Sequence, residues 1–363
     1  MKAIRILHCI PTMETGGAER QLALLAEAQH ARGRKVHVLL MRRGSNLDRL
    51  SRGGVPVHQI PARPRHDPRH LLDIIRIAKQ TGATIVQTWL PRMDIVGGVA
   101  ARVLGLRWVI AERSSALAYS DRLVDRFLRV QVGRRADAVV ANSDAGLHYW
   151  KERRHRGYLG TIPNALPLDE IAAAKAANPE SLGLSPNSPL IVYVGRMSPE
   201  KRLDILLDTL EITCAGGASV ACLCGDGPLS DWVRREITRR NLDAYVKLFG
   251  FRSDIWSIMK SARAFVNLSN FEGHPNTVLE ALACAVPVIV SDIPAHREFL
   301  DDTTASFVKP DARCVAEAVQ SIVRNPALSK ARGAAGLTIA RRYSVDAAVR
   351  AYDRVYERIA EAR

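Results

Sequence analysis

Residues 264–281 read Ala264-Phe265-Val266-Asn267-Leu268-Ser269-Asn270-Phe271-Glu272-Gly273-His274-Pro275-Asn276-Thr277-Val278-Leu279-Glu280-Ala281. The apolar run 264–268 predicts a strand. Gly273 and Pro275 break it into a loop, and a helix is expected from about Asn276. Strand, loop and helix in this order make one unit of a parallel α/β layer. A helix N-terminus offers unpaired N–H groups and the positive end of a dipole, so the loop can hold a phosphate. Glu272 falls in the loop and Glu280 about one turn into the helix, eight positions apart. Carboxylates flanking an anion site suit the recognition of sugar or ribose hydroxyls. One capping acid and one surface acid would explain the same pair.

The same alternation extends in both directions. Upstream, short β-branched runs at 4–9, 36–41, 84–88, 108–111 and 138–141 are expected strands, with helices between them, for example at 18–32 and 71–81. Pro163, Asn164 and Pro167, then Asn178, Pro179, Pro186 and Pro189, mark a break. A second series begins at 190–194 and continues at 219–224, 246–249, 264–268 and 288–291. Two Rossmann-like domains facing across a ligand cleft are the simplest account, over 1–170 and 171–343. Residues 344–363 carry Ser344 as N-cap, then Val345, Ala348, Tyr352, Val355, Tyr356 and Ile359 at helical spacing. That predicts a packed amphipathic helix, expected to return toward the first domain.

Two further segments follow expected strands. Gly195-Arg196-Met197-Ser198-Pro199-Glu200-Lys201 supplies a planar guanidinium fork at Arg196 and a mobile ammonium at Lys201. Together they could neutralise a diphosphate leaving group, a task that metals perform elsewhere. In Thr15-Gly16-Gly17-Ala18-Glu19-Arg20 the adjacent glycines allow a ligand close to the backbone, although the dinucleotide fingerprint is incomplete.

The chain of 363 residues is long enough for two cores, and 47% hydrophobic with 25% charged residues is ordinary for a globular protein. No apolar run approaches the length of a membrane span. The N-terminus reads as a first strand rather than a signal peptide. The six cysteines show no two-residue-spaced metal or redox pair. A cytoplasmic, reduced protein is expected, with no cofactor and no metal. The charge is uneven: residues 1–170 carry 28 Lys+Arg against 15 Asp+Glu, a net of +13, and the rest carry 24 against 22, a net of +2. A basic half favours an anionic partner such as acidic lipid, nucleic acid or a phosphorylated substrate. Arg122, Arg126 and Arg129 share one expected helical face, with Leu123, Phe127 and Val130 on another; Lys151, Arg153, Arg154 and Arg156 follow. Such a stretch could lie on the inner face of an anionic membrane, or its apolar side could pack inward.

Together the segments resemble glycosyltransferase family 4, retaining enzymes of the GT-B fold, over nearly the whole chain. The matching motifs are Gly16-Gly17-Ala18-Glu19-Arg20, Thr161-Ile162-Pro163-Asn164, Gly195-Arg196 with Glu200-Lys201, Gly225-Asp226-Gly227-Pro228, Gly250-Phe251-Arg252, and Glu272 with Glu280. The resemblance implies a nucleotide-sugar donor held by Arg196, Lys201 and Gly17 at its diphosphate and by Glu280 at its ribose. Glu272 with the backbone of Gly273, His274, Asn276 and Thr277 would orient sugar and phosphate, Gly16 would line the opposing loop, and Phe251 and Arg252 would lie beside the base. Asp226 reads as a turn residue. The implied reaction is front-face substitution with the leaving phosphate as base, so no metal and no protein nucleophile are required.

One departure is the histidine many relatives carry in the first domain. Here Gln87-Thr88-Trp89 and Glu112-Arg113 stand in the corresponding places. The Glu-Arg form resembles the branch extending lipid-linked sugars, which makes Glu112 and Arg113 acceptor-side candidates, with an ordinary ion pair as the alternative. His8 and His148 are assigned no role. The implied acceptor is a lipid-linked or polysaccharide hydroxyl, and UDP-sugars are favoured by the Asn276-Thr277 turn. Competing readings are a nucleotide-sugar epimerase on the same fold and a nucleic-acid-binding protein. The latter expects aromatics interleaved with cations, against an aromatic content of 6%.

Overall fold

The computed structural model describes residues 3–64, 67–113, 123–153 and 156–362. The chain forms two compact units, 1–165 with 343–363, and 166–342.

The first unit is built on seven parallel strands: β1 Arg5–Cys9, β2 Lys35–Leu40, β3 Val57–Gln59, β4 Ile85–Trp89, β5 Arg107–Glu112, β6 Ala138–Ala141 and β7 Tyr158–Thr161. Their order is β3-β2-β1-β4-β5-β6-β7. Side chains alternate between two faces, as the pleat requires. Val36, Val38 and Leu40 join one core, under the helix Gly17–Ala31, while Leu39 joins the other, under Arg69–Thr81 and Leu90–Val103. Helices on both faces explain why β4 has no exposed residue. The final helix, Val345–Glu361, is capped by Ser344 Oγ on the Ala347 N–H at 3.2 Å and belongs to this unit. Val349, Tyr352, Val355, Tyr356 and Ile359 fill the core beside Gly17–Ala31, so the aromatic stripe is packing.

The second unit has six parallel strands: β8 Leu190–Val194, β9 Val220–Cys224, β10 Val246–Phe249, β11 Ala264–Asn267, β12 Val288–Ser291 and β13 Ala305–Val308. Their order is β10-β9-β8-β11-β12-β13. Helices Leu203–Thr213, Ser230–Arg239 and Ala312–Arg324 cover the face that carries Ile191, Tyr193, Leu223 and Val266. In each unit the strand order reverses beside the first strand, between β1 and β4 and between β8 and β11. Loops leaving the carboxyl ends of these strands diverge there, which opens the crevice where α/β sheets bind ligands.

Ten strands lie within a residue or two of expectation. The three unexpected ones, β3, β7 and β13, are all sheet edges. An edge strand has one hydrogen-bonded neighbour and needs little hydrophobic patterning, so its sequence carries little signal. Thr161-Ile162-Pro163-Asn164 closes β7 and lies inside the first unit, where the Ile162 N–H donates to Ala141 O at 2.8 Å.

Candidate functional site

In the second unit, the loop after β8 and the loop after β11 meet at the switch point. Lys201, at the end of the single-turn helix Pro199–Lys201, donates its Nζ–H to Glu272 Oε1, and both side chains are largely enclosed. Ser269 Oγ donates to the same oxygen at 2.7 Å, and the Asn270 N–H donates to Glu200 O at 2.8 Å. Two residues expected to meet one ligand are therefore neighbours. Burial alone would raise the Glu272 carboxyl, but the Lys201 ammonium and the hydrogen bonds from Lys201 and Ser269 outweigh it and hold the group below the usual glutamate value.

The helix Asn276–Ala283 begins directly behind this pair, and no side chain caps it. Its first-turn N–H groups suit an anion. Glu280 is 2% exposed, on the inward side of the helix. His274 is buried with its ring 5.2 Å from that of Phe299, so the imidazole packs and the loop backbone lines the site. Thr277 sits in the first turn, and Gly273 precedes it in the loop.

Arg196 is exposed, one residue past Gly195, while Tyr193 donates its hydroxyl to Arg196 O at 3.0 Å and steadies the loop. The loop rests on the one after β9: Gly195 N–H donates to Cys224 O at 3.0 Å and Met197 N–H to Asp226 O at 3.0 Å. Gly225 has φ +132°, and a Cβ there would collide with Gly195 O, so the contact requires glycine. Asp226 Oδ1 accepts from the Gly227 N–H at 2.9 Å and from Ser230 Oγ at 2.6 Å, the geometry of a turn. Phe251 is exposed; Arg252 grips Asp254 through two bonds of 2.7 and 2.6 Å. Among the described residues, no group of three His, Cys, Asp or Glu could hold a metal ion.

In the first unit, Gly16 is the N-cap residue of the helix Gly17–Ala31 and Gly17 its first residue. The acceptor-side candidates, Glu112 and Arg113, are both engaged within this unit. Glu112, at the end of β5, is buried: its Oε2 accepts from Trp150 Nε1 at 2.9 Å and faces Arg129 at 2.8 Å. Arg129 is 1% exposed and also donates Nε–H to Asp94 at 2.7 Å. The Glu112 carboxylate thus forms the ion pair that was its alternative reading, closed inside a triad with Arg129 and Asp94. Arg113 is half-buried and binds Asn164 Oδ1 at 3.1 Å and the Tyr352 hydroxyl, with its guanidinium 4.9 Å from the Trp89 ring centroid. It fastens the end of β5 to the final helix.

The expected basic face is also rearranged. Arg129 points inward, while Phe127 is 61% and Val124 70% exposed, with Leu128 beside them, on the helix Leu123–Gly133. Arg126, Arg134 and Arg135 are exposed on the same helix and just beyond it. Arg122 and Arg154 lie outside the described residues. No helix among the described residues is long and apolar enough to cross a membrane.

Nothing in the sequence marks Ser269, which bonds Glu272, or gives Glu19, whose carboxylate is buried beside Gly16, a part of its own. Ser269 has no type or spacing that marks it. Glu19 was legible only as one letter of the glycine motif.

Comparison with known proteins agrees with this architecture. Residues 15–170 match the family described as Glycosyltransferase Family 4, and residues 174–337 the one described as Glycosyl transferases group 1. The chain is 28% identical over 241 residues to the Escherichia coli UDP-Gal:alpha-D-GlcNAc-diphosphoundecaprenol alpha-1,3-galactosyltransferase, a match covering 62% of either chain. It is 25% identical over 334 residues to a GDP-mannose-dependent alpha-(1-6)-phosphatidylinositol dimannoside mannosyltransferase of Mycobacterium tuberculosis, covering 86% of this chain and 85% of that one. Among solved structures, Anabaena HepE in complex with UDP and glucose superposes with a TM-score of 0.86 at 20% identity, over 98% of this chain and 99% of that one. Sucrose-phosphate synthase of Thermosynechococcus elongatus gives 0.82 at 19% identity, over 99% and 100%. Both likenesses bear on the fold, which is GT-B. With matches to both family descriptions spanning nearly all of its length, and a sheet switch point furnished with Lys201 and Glu272, the chain belongs to glycosyltransferase family 4.

Proposed function

We propose that this glycosyltransferase moves a hexose or N-acetylhexosamine from a UDP-sugar to a hydroxyl of a lipid-linked or polysaccharide acceptor, with retention of configuration and without a metal. The observation that carries the reading is the junction of Lys201, Glu272 and the uncapped helix Asn276–Ala283 at the switch point of β8 and β11. Arg196 and Lys201 would hold the diphosphate oxygens, joined by N–H groups of the helix start. Glu280 would take the ribose hydroxyls and Glu272 those of the sugar, with Phe251 and Arg252 beside the base. Gly16 and Gly17 would let a ligand come close to the backbone at the start of the helix Gly17–Ala31. On this reading the bond from the anomeric carbon to the phosphate oxygen breaks as the acceptor oxygen attacks from the same face. The acceptor proton passes to the departing diphosphate. Lys201 compensates Glu272, which favours the ionised carboxylate as a hydroxyl acceptor.

The E. coli relative, named for a UDP-sugar and a diphosphoundecaprenol-linked acceptor, supports the choice of donor and acceptor class. The basic first half and the exposed Val124, Phe127 and Leu128 support docking on an anionic membrane that carries such an acceptor. Glu280→Ala is expected to abolish UDP-sugar turnover while the circular dichroism spectrum stays native. Unchanged turnover would remove the site assignment. Thermal shifts with UDP- and GDP-sugars decide the base, since a bound ligand raises stability with the logarithm of its saturation.

A further inference from the structure

His296 follows β12, in the short helix Pro294–Arg297, and is fully buried. Two serines join it to Glu272 within the second unit. The Ser269 N–H donates to Ser291 Oγ at 2.9 Å, across the ends of β11 and β12. Ser269 Oγ holds Glu272 Oε1, and Ser291 O accepts from His296 Nδ1 at 2.7 Å. A carbonyl oxygen only accepts, so the Nδ1–H is committed to Ser291 and the neutral ring carries its lone pair on Nε2. That nitrogen is enclosed and meets no hydrogen-bond partner among the described residues. Burial pushes the imidazole below its usual pKa, against the Ser291 bond and the Glu272 charge, so the ring keeps this lone pair near neutral pH. The charges acting on the ring are Glu272, Lys201 and Asp292, and Asp292 is held by Arg297 through bonds of 2.8 and 3.0 Å. A buried acceptor that no donor serves is costly, and here it stands beside the Lys201–Glu272 pair.

We infer that His296 is a further donor-site residue, whose Nε2 accepts a hydrogen bond from a hydroxyl of the sugar that Glu272 holds. The inference rests on the reading that Glu272 meets the donor sugar. Phosphate oxygens are acceptors and are repelled by a lone pair, whereas each sugar hydroxyl has a proton to give. Lys201 lies against both acceptors: its ammonium bonds Glu272 and its charge reaches His296. Once Lys201 turns to the diphosphate, neighbouring hydroxyls take its place, one on Glu272 and one on His296. The Ser269–Ser291 brace fixes the two acceptors relative to each other, so together they select the directions of two hydroxyls.

Calorimetric titration of the full chain with UDP, UDP-glucose, UDP-galactose and UDP-N-acetylglucosamine tests this against His296→Asn. The asparagine amide keeps a donor for Ser291 O and deletes Nε2. Both chains are expected to bind UDP alike. For the UDP-sugar that binds best, His296→Asn should lose about threefold to tenfold in affinity relative to UDP, the worth of one hydrogen bond. Removing the matching hydroxyl from that sugar should cost the native chain a similar factor and His296→Asn nothing further. Equal ratios of UDP-sugar to UDP affinity in the two chains would overturn the inference. So would a loss shared by UDP, which marks a structural role. The native chain supplies a readout that needs no variant: the nitrogen NMR resonance of His296 Nε2 should move on saturation with the UDP-sugar and not with UDP, and an unmoved resonance sinks the inference. Arg196→Ala, measured in parallel, separates the two levels. If it weakens UDP while the His296→Asn ratios match the native ones, the donor site stands and the His296 inference falls. If Arg196→Ala leaves UDP binding unchanged, the donor-site reading falls and this inference with it.

Discussion

Protonating His8 should cost the first unit stability in a defined pH window. His8, in β1, is fully buried in a one-way chain of hydrogen bonds. Trp89 can only donate through its indole N–H, 3.2 Å from His8 Nδ1, so the imidazole proton sits on Nε2 and is given to Gln29 Oε1 at 3.0 Å. Gln29 Nε2 donates to the Tyr356 hydroxyl at 3.3 Å, and Tyr356 donates to Gln87 Oε1. A second proton on His8 would land on Nδ1 against the Trp89 donor. Burial accordingly pushes the His8 pKa down from 6.5 to about 4, with the Gln29 bond acting weakly the other way. The unfolded chain therefore binds more protons between these values. Stability contributed here is complete above about pH 6.5, falls as the pH falls toward about 4, and is level below. Between pH 7 and pH 5 the loss amounts to about 2 kcal/mol. Hydrogen exchange at the β1 and β4 amides reads the opening free energy of this unit alone, corrected for intrinsic exchange. The native chain should lose about 2 kcal/mol more than His8→Gln between the two pH values. Equal losses would refute the buried neutral imidazole, as would a native His8 resonance titrating near 6.5.

Two other perturbations follow from the first unit. Arg129→Met takes the Arg129 cation away from the buried Asp94 and Glu112, and should cost about 3–5 kcal/mol, seen as a lower melting temperature; restoring neutrality with Asp94→Asn and Glu112→Gln in the same chain should recover part of the loss. Phe127→Ser with Val124→Ser should reduce sedimentation with anionic vesicles severalfold while turnover of a soluble acceptor analogue is unchanged, and equal sedimentation with neutral vesicles would count against electrostatic docking.

The repeated strand–loop–helix order, the break near the middle and the final capped helix are legible in the sequence alone. Their signals are local: hydrophobic period, Gly and Pro punctuation, and a serine at an N-cap. The sequence also marked Arg196, Lys201, Glu272 and Glu280, because a loop after a buried strand is where a parallel sheet places polar chemistry. Edge strands β3, β7 and β13 escaped, since one neighbour imposes little pattern. The direction of a side chain was not legible at all. Arg129 and Phe127 are two residues apart in one helix, and a cation and an apolar ring would by type be placed outside and inside. The tertiary structure reverses them, because Asp94 and Glu112 reach Arg129 from other elements and compensate its burial, leaving Phe127 on the outer side. The same holds for Glu112, a surface acid by type and an interior one by its partners. Pairing across 35 positions between Asp94 and Arg129, or 71 between Lys201 and Glu272, depends on how distant strands order themselves in a sheet, and no local pattern encodes that.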